Sequence, residues 1–155
     1  MSLLPPADND YRGSPLALWF LWLLVAVNAL RGCVHFLWED SGAGRIAGID
    51  LTANGAVIVH MLAQIGIDQL VWGAIQAATA LRYRRFIPLV LLITLVKQAA
   101  GTFLLWVWKE LPVAAPGKYG ALVTLPLIAL AFWLSIPRRG GAVRAAPRAS
   151  PASVS

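Results

Sequence analysis

The chain has 155 residues, the length of one domain, and is 59% hydrophobic and 13% charged, with mean hydropathy +0.69. A soluble domain runs at roughly 45–50% apolar and about 25% charged, and one this small buries only part of its surface; soluble enzyme, disordered chain and disulfide scaffold are all set aside. Thirteen Lys and Arg against seven Asp and Glu give a formal +6. The basic residues flank long apolar blocks, as membrane topology requires, and leave no basic face with interleaved aromatics for nucleic acid.

Residues 1–14 read MSLLPPADNDYRGS, with no basic segment ahead of an apolar stretch, so no cleavable signal peptide is expected. Ser14-Pro15 supplies a helix N-cap followed by proline at the first helical position. The first span is expected over 16–38. The second covers about 53–81, long enough to cross with tilt. The third opens at Ile87-Pro88 and covers 87–108. After the breaker-rich stretch 112–117, the fourth covers about 119–136; its 18 residues rise roughly 27 Å, about the thickness of the hydrocarbon core. Pro126 is expected to kink this helix and Pro137 to end it.

Trp38, Trp106, Trp108 and Tyr119 gather near one set of helix ends and Tyr11, Tyr83 and Phe86 near the other, as an aromatic belt predicts. Cys33 is the single cysteine, which precludes an internal disulfide and a CxxC pair; inside an apolar block it reads as a small buried hydrophobe. On one side of the membrane fall Arg12, Arg82, Arg84, Arg85, Arg138, Arg139, Arg144 and Arg148, and on the other only Arg45, Lys109 and Lys118. That asymmetry places both termini in the cytoplasm. Residues 138–155, rich in Ala, Pro, Ser and Arg, read as a disordered basic tail.

After the loops are assigned, Arg31 lies inside the first span and Lys97 inside the third. The second span adds His60, Gln64, Asp68, Gln69 and Gln76. Such residues are costly at bilayer depth and turn toward a partner or a water-filled cavity. Asn28, Arg31 and His35 share one face of the first helix, and His60, Gln64 and Asp68 share one face of the second. At about 1.5 Å per residue, Asn28, Gln64, Lys97 and Gln98 fall near the midplane, with Asp68 roughly one turn deeper. The expectation is therefore an interior cluster of Asn28, Arg31, His60, Gln64, Asp68, Lys97 and Gln98 enclosed by spans one to three, with Lys97 salt-bridged to Asp68. It serves either as interhelical glue or as a ligand or proton pathway.

The loop between spans one and two, Glu39 to Asp50, offers three glycines that tolerate positive φ and three carboxylates. Asp40, Gly42, Gly44 and Asp50 are candidates for an anion nest or a hard-cation site. The plainer alternative is a compact turn in which Asp50 or Thr52 caps span two. His35 and His60 are candidate axial haem ligands. Small residues on span two (Gly66, Gly73, Ala74, Ala77, Ala78) suit a tight bundle or a homodimer. No hydrolase, metalloprotease, P-loop or zinc motif is present.

The stretch His35, Asp40-Ser41-Gly42-Ala43-Gly44, Ile46-Ala47-Gly48-Ile49-Asp50-Leu51, with Gln64, Gln69-Leu70 and Arg82-Tyr83-Arg84, resembles an uncharacterised family of small bacterial four-span membrane proteins over roughly residues 16–110. The resemblance implies a topology and assigns no catalytic residue. The four-span layout is also similar to that of DoxX-like membrane proteins, which implies a redox or quinone association by analogy of fold.

These readings predict an all-α polytopic protein, a bundle of four transmembrane helices in the inner (cell) membrane. Its first expected role is a non-enzymatic binding or accessory subunit, partnered by the bilayer and by a homo-oligomer or larger membrane complex. The alternatives are a proton or small-solute carrier using His60, Asp68 and Lys97, and a redox component holding quinone or haem.

Overall fold

The computed structural model describes residues 5–110 and 112–137. Four helices follow in order: α1 Pro15–Leu37, α2 Gly55–Arg82, α3 Ile87–Phe103 and α4 Pro116–Ser135. The expected tail, residues 138–155, lies outside the described residues. A one-turn 3₁₀ helix, Arg84–Phe86, leads into α3, and a π-helical turn, Leu104–Trp108, continues it. Among the described residues there is no strand. The four helical stretches are each long and apolar enough to cross a membrane, α2 being the least apolar. Large apolar side chains such as Leu16, Trp19, Leu30, Val96 and Val107 stand exposed along them. A soluble monomer does not present so continuous an apolar surface, and four such helices make the chain a multi-pass membrane protein.

Local chemistry sets most of the helix ends. The Ser14 hydroxyl accepts a hydrogen bond from the Leu16 amide, and Pro15 occupies the first helical position. α4 opens on Pro116, three residues earlier than expected, because proline suits that position too. It runs helical through Pro126 and ends at Ser135; Ile136 takes an extended conformation, as a residue before proline is driven to do. The start of α2 differs from expectation. Its N-cap is Asn54, in the left-handed region at φ 59°, while the Asp50 carboxylate accepts instead from the Thr52 amide within the loop.

α1 packs along α2 and α3 along α4, giving two hairpins; α1 also touches α4, and α3 leans lightly on α1 and α2. The buried core is Ala17, Leu21 and Leu24 of α1, Ala80 of α2, Ile87, Val90 and Leu91 of α3, and Ile128 and Ala131 of α4. All of these lie toward the end carrying the chain termini and the α2–α3 turn. The hairpins are thus knitted at this terminal end.

Residues 5–14 tie that end down. The Asp8 amide donates to the Arg82 carbonyl and its carboxylate pairs with Arg85 at 3.3 Å. The Tyr83 hydroxyl donates to the Pro5 carbonyl, and the Ser14 amide to the Leu134 carbonyl. Tyr11 packs against the core, and burial pushes its phenol pKa up. Cys33, expected to be buried, is exposed, because it sits on a side of α1 that no other helix covers.

Candidate functional site

The polar side chains of the spans divide into three groups. The first is a relay across three helices. Asn28 Nδ2 of α1 donates to Gln76 Oε1 of α2 at 2.8 Å, and Gln76 Nε2 donates to Thr94 Oγ1 of α3 at 3.3 Å. Thr94 in turn donates to the Val90 carbonyl. Gln76 is fully buried, so its amide takes its partners from the flanking helices. A buried polar group needs such partners, and in the bilayer the bonds serve as glue between helices.

The second group joins α3 to its neighbours. Gln98 Nε2 donates to Thr124 Oγ1 at 3.0 Å and to the Ala121 carbonyl at 3.2 Å, both on α4. Lys97 Nζ lies 5.7 Å from the centroid of the Trp72 ring of α2, a cation–π contact. The expected ion pair between Lys97 and Asp68 is not formed among the described residues. The lysine lies over Trp72, one helical turn from Asp68.

The third group forms no hydrogen bond across the bundle. Arg31, His60, Gln64 and Asp68 are exposed, and their side chains make no hydrogen bond or ion pair with another described residue. Helix geometry accounts for the three on α2. Gly66 and Gly73 face α1: a Cβ on Gly66 would stand 2.8 Å from the Phe36 nitrogen, and one on Gly73 3.3 Å from Asn28 Cβ. At about 100° per residue, His60, Gln64 and Asp68 fall on the side of α2 away from those glycines. Arg31 points toward the start of α4, its guanidinium 3.6 Å from where a Cβ on Gly117 would lie. The seven expected cluster residues therefore do not meet in one interior. Asn28 and Gln98 bridge helices, Lys97 rests on an indole, and the other four stand at the surface of the chain. Two buried atoms beside them, Gln69 Oε1 and Trp72 Nε1, lack a hydrogen-bond partner among the described residues.

The loop carboxylates are committed to their own backbone. Asp40 accepts from the Gly42 amide at 2.9 Å and from the Arg45 amide at 2.8 Å. These bonds, Arg45 first and Gly42 second, hold its carboxyl below the usual carboxylate pKa. Asp50 is lowered in the same way by Thr52. Gly42 and Gly48 take positive φ, as does Ser41, and the loop closes as a compact turn. Gly44, the fourth loop candidate, lies beside the Asp40 carboxylate. Among the described residues no three His, Cys, Asp or Glu side chains group as metal ligands. His35 Nδ1 lies 2.7 Å from the Ser41 carbonyl oxygen and its Cβ faces Gly66. His60 is carried on another side of α2, so the two imidazoles do not face a common space.

Two features escape a reading of spacing alone. Gln76 is off the His60–Gln64–Asp68 face, so a search for one polar stripe passes over it; its signal is an amide deep in an apolar helix. Lys118 counts as a loop charge by position. Yet it is buried in the first turn of α4, 3.2 Å from Glu110 and with its ammonium 4.5 Å from the Trp106 ring centroid. Trp106 Nε1 donates to the Lys118 carbonyl. The π turn carries that indole, and a surplus residue per turn re-aims side chains in this manner.

Comparison with protein-family models, curated proteins and solved structures finds no match to this chain.

Proposed function

We propose that the chain is a non-enzymatic membrane subunit that binds a partner within the bilayer through the outward polar side chains of α2 and α3. The observation that carries this reading is the exposure of His60, Gln64 and Asp68 along one face of a membrane span, with no partner among the described residues. A charged side chain near the bilayer centre costs about 2.5–3.5 kcal/mol on insertion scales. Lipid tails supply no hydrogen bond to offset that, whereas a neighbouring helix does. Asn28, Gln76 and Thr94, by contrast, are bonded to one another across α1, α2 and α3. The excess of basic residues on the side of the chain termini supports an orientation with both termini in the cytoplasm.

A photo-reactive amino acid in place of Gln64 tests the reading in intact membranes. A protein adduct is expected from position 64 and lipid adducts from Leu23, which also faces outward. Lipid adducts alone from position 64 would contradict the proposal.

A further inference from the structure

We propose that the partner is a second copy of this chain, related by a two-fold axis along the membrane normal, with Asp68 of each copy paired to Lys97 of the other. This inference rests on the preceding reading and specifies the occupant of the same surface.

Asp68 and Lys97 flank one indole. Lys97 Nζ lies 5.7 Å from the Trp72 centroid, and Asp68 precedes Trp72 by one helical turn, on the α3-facing edge of the outward stripe. Both residues are exposed, and the structure forms no ion pair between them. This side of the α2–α3 pair thus presents one acid and one base with no net charge. Counted from the terminal ends of α2 and α3, their depths differ by four residues' rise, about 6 Å, which a lysine stem spans.

Identical chains inserted in the same sense keep every residue at its own depth under a two-fold normal to the membrane. In such an interface residue i meets j while j meets i. A patch carrying one acid and one base is therefore its own complement, and two copies neutralise two charges of each sign. Gln64, one turn from Asp68, adds a second self-complementary element. Its amide both donates and accepts, so it pairs with its own counterpart at equal depth. Val71 and Ile75, exposed at 56% and 44%, continue the same face as apolar contact surface.

The charge pattern gives a test that a purely structural role does not pass. Asp68→Lys and Lys97→Asp are expressed alone and together, with different tags, and the mass of the extracted particle is measured in lipid-polymer discs. Each variant alone sets like charges opposite each other at both pairs and is expected to weaken self-association by about tenfold or more, the loss of two intramembrane polar contacts of ordinary strength. Co-expressed, the two variants are expected to recover a particle of twice the chain mass holding one of each tag, because each lysine then meets an aspartate. Full dimer in either single variant, or no recovery in the mixture, would overturn the proposal. Should a variant fail to fold, the photo-adduct at position 64 in the otherwise native chain decides. An adduct of twice the chain mass upholds the pairing. An adduct with a different protein overturns the second copy and leaves the accessory-subunit reading standing. Lipid adducts alone overturn both.

Discussion

Gln76 holds its position through an amide that cannot reach water. One end accepts from Asn28 and the other donates to Thr94, so a single side chain ties α1, α2 and α3 together. Replacing it with leucine removes both bonds and leaves Asn28 without its acceptor. Gln76→Leu is expected to destabilise the fold by about 1–2 kcal/mol, measured by unfolding in mixed detergent micelles. Gln64→Leu, on the exposed face of the same helix, is expected to leave the stability of the single chain unchanged within about 0.5 kcal/mol. Outside the spans, Asp40 titrates below an ordinary carboxylate because folding gives it two amide donors. Its contribution is complete above the unfolded carboxylate pKa and is lost as pH falls through the lower folded value. Hydrogen exchange should therefore show the Gly42 and Arg45 amides losing protection as the pH is lowered into that window, and Asp40→Ala should lose it at neutral pH. The polar residue types in the spans were visible in the sequence. Which of them bond to each other was not, because spacing along one helix fixes a shared face but not the helix that face meets.

At the scale of elements, the α1–α2 seam depends on glycine. A Cβ on Gly66 would press on the Phe36 nitrogen at 2.8 Å, on His35 Cβ at 2.9 Å and on the Gly32 carbonyl oxygen at 3.0 Å. Backbone atoms cannot swing aside, so the helices must part. Gly66→Ala is expected to cost about 1–3 kcal/mol, whereas Gly120→Ala on α4, with nothing within 4 Å, is expected to be neutral or slightly stabilising through helix propensity. Thermal unfolding of the two variants side by side checks the contrast. The four helices were legible because a span needs about 20 apolar residues whatever its neighbours are, and Ser14-Pro15 and Pro137 marked their ends locally. The start of α2 was not. Asp50 has the chemistry of an N-cap, yet it completes the turn at Thr52, and Asn54 reaches the capping position through a left-handed backbone.

For the whole molecule, packing is uneven, and that unevenness shapes the functional reading. The buried core sits at the terminal end, reinforced by residues 5–14, while the outward face of α2 is left bare. Hydropathy separates lipid-compatible helices from loops, and positional charge suggests their orientation. Neither says whether a polar stripe turns in toward the bundle or out toward a partner, since both choices give the same periodicity. Asp68 and Lys97 show the difference: their estimated depths allowed a pair within one chain, and the structure instead lays the lysine on Trp72. The claim on which the function rests is that this stripe is satisfied by another polypeptide. The mass of the native particle, extracted in lipid-polymer discs without detergent, measures it most directly. An assembly larger than one chain is expected, collapsing to the single-chain mass when Gln64 and Asp68 are both replaced by leucine. A single-chain mass for the unaltered protein, or an assembly indifferent to that double replacement, would contradict it.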